Sequence, residues 1–328
     1  MPENRCHVLL VEDDEEDYLL TKDLLTEFHD PRAELSWVRD YRAALDAARR
    51  DHYDVCLVDY RLGGPQDGID LIRALVADGH QIPVVLLTGE GTHSVDIEAA
   101  QAGASDFLVK GEVSSAVLER TIRYAMQSHA ALRDLKESYR TTVRALATAL
   151  ELRDDETGAH AARVTELAMR LTHRVAPGLA ADPELEYAFL LHDIGKIGVP
   201  DSIVLKQGPL DPSETERMRH HVQLGEQIVA QVPYLNGLVR DIITSHHERW
   251  DGTGYPRGLQ GEDIPLSARI FAVVDAYDAM TNDRPYRKAM PTHQALAELQ
   301  RVAGTQLDPN VVREFLVLAS ELKRANAA

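Results

Sequence analysis

The sequence contains few of the residues that would place it outside the cytoplasm. There are only two cysteines, Cys6 and Cys56, and both fall in apolar runs typical of buried strands, where a small apolar side chain is expected. No apolar run approaches the roughly 20 residues that a transmembrane helix needs. Residues 1–5 lack the apolar stretch of a signal peptide. We therefore expect a cytoplasmic protein with no membrane span.

Cations are also scarce. The chain has 35 Lys and Arg residues against 53 Asp and Glu residues, a formal net charge of -18. Nonspecific nucleic-acid binding depends on neutralising phosphates with cations, and no basic recognition helix follows Gly111. We expect no DNA partner. An anionic small molecule stays open, because bound metals and a few arginines can reverse the charge of one pocket.

The N-terminal half predicts an α/β domain. Short β-branched or apolar runs alternate with helix-like segments, a pattern typical of a doubly wound parallel sheet. At 328 residues the chain is long enough for about two domains. The predicted strands cover residues 6–11, 33–38, 55–59, 83–88 and 106–109.

Unusual polar residues follow these strands. Functional groups gather at the carboxyl ends of the strands in such sheets. Three carboxylates beside one lysine repel one another unless a cation such as Mg²⁺ neutralises them, and one of them, Asp59, could then attack a phosphoryl group. The alternative is that they are ordinary loop residues and helix N-caps. The residues concerned are Glu12, Asp13, Asp59, Thr88 and Lys110.

This half resembles a two-component receiver domain of flavodoxin-like fold. The resemblance implies a bound Mg²⁺ and a cognate histidine kinase. Two departures from the usual pattern are Tyr60-Arg61-Leu62 after the aspartate and Gly111 after the lysine; neither removes a reacting group. The implied roles are phosphoacceptor for Asp59, magnesium ligands for Glu12 and Asp13, phosphoryl contacts for Thr88 and Lys110, and switch aromatic for Phe107.

The segment between the halves predicts a long helix. Apolar or small residues recur from Leu118 to Leu150 at steps of three and four, and no Gly or Pro interrupts Gly111 to Gly158. Such a repeat favours pairing with a second copy of the chain, and hence a homodimer. The alternative is one amphipathic helix packed on its own domain.

Paired histidines and aspartates mark the C-terminal half. His192-Asp193 interrupts an apolar run, and burying both groups is costly unless they bind a metal or each other. Asp193 has two oxygens with which to bridge two ions. Lys196 follows on the same side, and Glu156 and His160 share a helix face at a spacing of four. His246-His247 adds two more imidazoles.

These motifs, in order from Glu156 to Arg287 and including Gly254-Tyr255-Pro256, resemble the HD-GYP family, whose members hydrolyse cyclic di-GMP. The resemblance implies an all-helical domain. It selects His221 over His220, because a glycine follows four residues later, and Asp275 over Asp278, to which we assign a supporting hydrogen bond. The expected metal ligands are Glu156, His160, His192, Asp193, His221, His246, His247 and Asp275.

A cysteine-free set of this kind suits iron, manganese or zinc, and the resemblance favours iron or manganese. The family binds two or three ions, and glutamate at Glu156 favours three. Two ions about 4 Å apart can activate water for phosphodiester hydrolysis. Asp193 and Lys196 are the expected catalytic residues. Lys196, Arg284 and Arg287 are expected to hold the substrate, although a solvated basic turn is the alternative for the two arginines.

We therefore interpret the chain as a multidomain α/β plus all-α response regulator. Its expected parts are a receiver (1–113), a connecting coiled-coil helix (114–150) and a phosphodiesterase domain (151–328). Cyclic di-GMP would be cleaved to linear pGpG, with GMP as the alternative end point. The rival functions are hydrolysis of another nucleotide and a catalytically silent adaptor. The loop 251–256 is expected to fold over the site or to present Tyr255 to diguanylate-cyclase domains.

Overall fold

The computed structural model divides the chain into two compact units, Met1–Glu137 and Ser138–Ala328. The residues that the structure describes are 5–28, 32–89, 93–153, 160–232, 235, 237–283 and 288–325.

A five-stranded parallel sheet in the order β2-β1-β3-β4-β5 forms the centre of the first unit. The order reverses beside β1, so the carboxyl ends of β1 and β3 lie next to each other. The strand bounds agree with the sequence prediction to within one residue. The strands are β1 (Arg5–Val11), β2 (Arg32–Val38), β3 (Val55–Asp59), β4 (Val84–Thr88) and β5 (Asp106–Val109).

Helices cover both faces of this sheet, as predicted for a doubly wound fold. Alternate residues of a strand point to opposite faces. Leu9 therefore packs in one buried cluster and Leu10 in the other. The helices are α1 (Glu15–Thr26), α2 (Tyr41–Arg50), α3 (Gly68–Ala77) and α4 (His93–Ala102).

The predicted connecting helix is confirmed as α5 (Ser115–Arg153), 39 residues long. Its first turns bury Leu118 in the core of the first unit, and Val143 is buried in the core of the second. Between them, Leu132 and Leu135 are 52% and 67% exposed. Pairing with a second copy and the three-part division at 113/114 and 150/151 stay predictions.

The described residues of the second unit are mainly helical, which confirms the all-α prediction. Phe189, Phe271 and Phe315 are fully buried at its core. Among the described helices of the whole chain, none has the length and apolar character required to cross a bilayer. The helices are α6 (His160–Val175), α7 (Pro177–Ala180), α8 (Glu184–Leu190), α9 (Asp201–Val204), α10 (Pro212–Arg219), α11 (His221–Val229), α12 (Leu238–Ser245), α13 (Leu266–Thr281), α14 (Thr292–Val302) and α15 (Pro309–Ala325).

Candidate metal centre

The His192-Asp193 pair lies where an apolar helix gives way to a tight turn. Helix α8 ends at Leu190, and a 3-10 helix spans Ile194–Gly198. His192 is buried with its ring centroid 4.6 Å from that of Phe271. The apolar run thus anchors the turn in the core and leaves the polar pair at its edge. We call residues 193–199 the Lys196 segment.

Two glycines bring this segment against α11. A Cβ atom at Gly195 would lie 1.8 Å from the carbonyl oxygen of His221 and 2.4 Å from the amide nitrogen of Gly225. Only glycine permits such a backbone approach. The approach places Nε2 of His221 3.3 Å from Oδ1 of Asp193. The close approach also gives a physical reason for Gly225, the glycine by which His221 was chosen over His220.

Three imidazoles converge on Asp193. The ligand atoms of Asp193, His221, His246 and His247 all lie within 4.8 Å of one another. Nε2 of His246 is 3.6 Å from Oδ1 of Asp193 and 3.4 Å from Nε2 of His221. These atoms are close enough to share one ion.

Hydrogen bonds at Nδ1 fix the tautomers of His192, His221 and His246. Because a carbonyl can only accept, a ring nitrogen bonded to one carries the proton, and Nε2 then presents a lone pair. Two such lone pairs, on His221 and His246, face each other and repel unless a cation lies between them. The Nδ1 atoms donate to carbonyl oxygens as follows: His192 to Phe189 at 2.9 Å, His221 to Met218 at 2.7 Å and His246 to Ile242 at 3.0 Å.

Asp193 has the geometry of a bridging carboxylate. Its Oδ1 faces His221 and His246 and is buried without a hydrogen-bond partner among the residues that the structure describes. Its Oδ2 lies 3.2 Å from Nε2 of His192 and 2.9 Å from Nζ of Lys196. Although burial opposes ionisation, the charge of Lys196 and the contact with His192 hold the pKa of Asp193 well below its usual value. A buried, ionised oxygen with no donor is a ready ligand for a cation.

A second group of ligands lies on the Oδ2 side. The ring centroids of His160 and His192 are 5.8 Å apart, and Nε2 of His160 lies 3.6 Å from Oδ1 of Asp275. Nδ1 of His160 is 2.7 Å from Oδ2 of Asp278, which also accepts from Arg163. Asp278 therefore has the supporting hydrogen bond expected from the sequence.

The electrostatics favour neutral imidazoles around Oδ1. Burial lowers the pKa of His221 to about 4 and that of His247 well below its usual value. Neutral rings are the form that binds metal. Burial also favours a neutral His192, but the charges of Asp193 and Asp275 outweigh it and raise the pKa of His192.

The loop 251–256 folds back over this centre, one of the two arrangements expected. The ring of Tyr255 stacks on that of His247 with centroids 4.6 Å apart, and the guanidinium of Arg219 lies 4.8 Å from the centroid of Tyr255. A Cβ atom at Gly254 would lie 2.6 Å from the carbonyl oxygen of His247. The buried carboxylate of Glu248 accepts a hydrogen bond from the backbone amide of Arg257. This bond holds the residue that follows the loop against the end of the His246-His247 motif. The sequence did not single out Arg219.

The donor set fits divalent metal: unprotonated imidazole nitrogens and ionised carboxylates around an orphaned oxygen. Glu156, Arg284 and Arg287 lie outside the described residues. Their roles, and the division of the other ligands among ions, stay predictions. The structure brings together the other seven expected ligands, His160, His192, Asp193, His221, His246, His247 and Asp275.

The first unit also gathers its expected polar site. Nζ of Lys110 lies 2.7 Å from Glu12 and 2.7 Å from Asp59. Asp13 completes a carboxylate triad with these two residues, within 4.8 Å. Burial raises the pKa of Glu12 to about 7. Lys110 also lies 2.6 Å from Asp17, a contact that the sequence did not predict.

The remaining two receiver positions lie on β4 and β5. Thr88 is buried at the carboxyl end of β4, and Phe107 on β5 is partly buried against a core cluster. The phosphoryl contact and the switch role stay predictions.

Comparison with known families agrees with this geometry. The family model of the HD domain matches residues 144–311, about half of the chain. The chain belongs to the HD domain family. The model of the response regulator receiver domain matches residues 8–122. The protein thus joins a receiver domain to an HD domain.

Curated relatives match either most of this chain or about half of it. A cyclic di-GMP phosphodiesterase of Thermotoga maritima is 34% identical over 299 residues, which cover 83% of this chain and 80% of the relative. The cyclic di-GMP phosphodiesterase response regulator RpfG of Xanthomonas campestris is 33% identical over 318 residues, covering 91% and 81%. A 3'3'-cGAMP-specific phosphodiesterase of Vibrio cholerae is 39% identical over 184 residues, covering 56% and 35%.

Proposed function

We propose that the protein is a metal-dependent phosphodiesterase that hydrolyses cyclic di-GMP to linear pGpG, with GMP as the alternative end point. The observation that carries the proposal is the buried Oδ1 of Asp193, which has no hydrogen-bond partner among the described residues and is faced by imidazole nitrogens that can only accept. The substrate is inferred from the names of two relatives, of which this chain covers 80% and 81% of the length.

The expected ligands divide at Asp193. On its Oδ1 side, His221, His246 and His247 would hold one ion. On its Oδ2 side, a second ion would be held by His192, His160 and Asp275, and Glu156 would add a ligand for a third. Iron or manganese is the proposed metal. When bound, the ions supply Lewis-acid activation of water and of the phosphoryl group.

One lysine and two arginines would neutralise the negative charge of the diester. Nζ of Lys196 is held 2.9 Å from Asp193 with its side chain 15% exposed, so it meets the substrate at the ligand cluster. There it neutralises phosphate charge and donates a hydrogen bond to the departing oxygen. Arg284 and Arg287 would bind the phosphate groups of the substrate. Tyr255 and Arg219 form one wall beside His247.

The proposal is tested by measuring metal content and turnover together. Protein purified without oxygen would be loaded with Fe²⁺ or Mn²⁺, and cleavage of cyclic di-GMP followed by chromatography. Asp193→Ala should lose metal and about 100-fold of the activity, because even the loss of a group that supports a metal ligand costs about 10- to 100-fold. Intact protein that leaves the dinucleotide uncut with either ion would contradict the proposal.

A second candidate substrate is 3'3'-cGAMP. It is favoured by the match of 184 residues of this chain to a relative named for that substrate. The same assay distinguishes the two, because the ratio of kcat/KM values for the two dinucleotides measures the preference directly. A preference for cGAMP would leave the metal centre as proposed and change the substrate.

The receiver is proposed to regulate this activity. Phosphotransfer from a cognate histidine kinase to Asp59, with Mg²⁺ held by Glu12 and Asp13, would alter α5 and the HD domain. A homodimer would pair the exposed stretch of α5 around Leu132 and Leu135. Light scattering that gives a monomer mass at micromolar concentration would contradict the dimer.

Docking of diguanylate-cyclase domains on the loop 251–256 and a cytoplasmic location are further parts of the proposal.

A further inference from the structure

The last turn of α5 holds the segment that carries Lys196. Arg153 is the final residue of the helix. Its guanidinium donates to the carbonyl oxygen of Lys196 at 2.8 Å and to that of Val199 at 2.6 Å. The same group lies 2.7 Å from the carboxylate of Asp201. One planar side chain thus binds two carbonyls and the carboxylate that follows them.

These carbonyls end the 3-10 helix of the Lys196 segment. The amide of Val199 donates to the carbonyl oxygen of Lys196 at 3.0 Å, and the amide of Lys196 donates to that of Asp193 at 2.9 Å. On its other side the segment is fixed by the backbone contact between Gly195 and α11. Arg153 therefore supplies the second support of a segment whose lysine must meet Asp193 at 2.9 Å.

Glu151, in the same turn of α5, makes a similar contact beside His160. Its buried carboxylate accepts the amide of Ala161, the residue after the expected ligand His160. The last turn of α5 thus contacts the backbone of Lys196 and the backbone beside His160. The helix that ends in this turn also contributes Leu118 to the core of the receiver unit.

We propose that Arg153 is a positioning residue for Lys196, acting through the backbone carbonyls of Lys196 and Val199. The proposal rests on the phosphodiesterase function proposed above. Arginine suits the role because its fixed fork of donors satisfies several acceptors at once, which a lysine ammonium on a flexible stem does less well. A shift of the last turn of α5 would move these carbonyls and, with them, the ammonium group at Asp193.

A double-mutant cycle on the full-length protein tests the proposal. Arg153→Gln is expected to lower kcat about tenfold through misplacement of Lys196, with KM and metal content changed less than about twofold. In a Lys196→Ala background the same substitution should change kcat less than about twofold, because the group it positions is gone. Arg153→Lys should restore part of kcat. A purely structural role would lower kcat equally in both backgrounds.

Arg144→Gln is the matched control. Arg144 lies on the same helix and pairs with Glu186 at 2.7 Å, so its loss also removes one arginine-carboxylate contact. Amide exchange of residues 194–199, measured by mass spectrometry, should be about tenfold faster in Arg153→Gln than in Arg144→Gln. Unchanged exchange, an unchanged kcat or an additive cycle would overturn the inference. If intact protein cut no dinucleotide, the proposed function would fail, while the exchange experiment would still decide whether Arg153 holds the segment.

Discussion

Nδ1 of His160 lies 2.7 Å from Oδ2 of Asp278, both side chains being buried. The carboxylate also accepts from Arg163 at 2.9 Å and from the side-chain amide of Asn282 at 2.8 Å. Although burial opposes ionisation, the bonds from His160 and Arg163 lower the pKa of Asp278. An ionised carboxylate therefore orients the ring of His160 and directs its Nε2 towards the metal centre.

Asp278→Asn removes this charge and keeps the shape of the side chain. We expect the affinity for the activating metal to fall about 10- to 100-fold, the usual effect of losing a carboxylate behind a histidine ligand. Metal titration of the stripped protein measures the effect. Asp263→Asn, at an exposed aspartate, is the matched control and should bind metal as the unsubstituted protein does. Equal affinities for the two variants would show that Asp278 does not orient the ligand.

A second prediction concerns the backbone contact at Gly195. Gly195→Ala would put a methyl group 1.8 Å from the carbonyl oxygen of His221, so α11 must move. We expect the free energy of unfolding of the HD unit to fall by about 2 to 3 kcal/mol, and metal binding to weaken because His221 leaves Asp193. Denaturant unfolding followed by circular dichroism, with metal titration, measures both effects.

Gly178→Ala is the control for this substitution. Within the described part of the chain, no atom lies within 4 Å of a Cβ atom built at Gly178. Its replacement should change stability by less than about 1 kcal/mol, with a gain expected from the reduced freedom of the unfolded chain. Similar losses of stability in the two variants would indicate that alanine at Gly195 is accommodated without displacing α11.

The strands and the long helix were predictable because their signals are local. Apolar periodicity depends on a few neighbouring residues, so the expected bounds of β1 agree with the structure to within one residue and a long helix was expected in the region of α5. The contact of Arg153 with the carbonyl of Lys196 was not predictable, since a backbone acceptor leaves no trace in the residue type. Asp17 was missed for a related reason: it reaches Lys110 across 93 residues and resembles any acidic residue in a first helical turn.

At the ligand cluster, residue type carried more information. Histidines and aspartates within apolar runs are costly to bury without a partner, so His192-Asp193 was recognisable from the sequence. The resemblance to a known family chose His221 over His220. Only the structure shows the physical reason, the approach of Gly225 to Gly195.

A third prediction follows from the buried carboxylates of the receiver. Burial raises the pKa of Glu12 to about 7 and also raises the pKa of Asp59. Mg²⁺ binds the ionised forms, so protons compete with it below pH 7. The apparent affinity for Mg²⁺ should therefore increase about tenfold between pH 6 and pH 8, since the ionised fraction of a group with that pKa rises about tenfold.

Trp37 offers a reporter for this titration, because its indole nitrogen donates to the carbonyl oxygen of Glu12 at 2.8 Å. A Trp250→Phe background would leave one tryptophan, since the chain has two. Glu12→Gln should bind Mg²⁺ more weakly and with a smaller dependence on pH. An affinity of the unsubstituted receiver that stays constant from pH 6 to pH 8 would contradict the pKa argument.

The fourth prediction concerns signalling from Asp59. Its Oδ1 lies 2.7 Å from Nζ of Lys110, and its buried position at the end of β3 places it beside Glu12. If phosphorylation there regulates the HD domain, a phosphodonor should change the turnover of cyclic di-GMP in the unsubstituted protein and leave Asp59→Asn unchanged, because an amide cannot accept the phosphoryl group. Rates with and without acetyl phosphate and Mg²⁺ measure the response.

Asp46→Asn, at an exposed position on α2, is the control for this substitution and should respond like the unsubstituted protein. A response that persists in Asp59→Asn would place the regulatory phosphorylation elsewhere, whereas activity indifferent to the phosphodonor in every variant would indicate a receiver that serves only for docking.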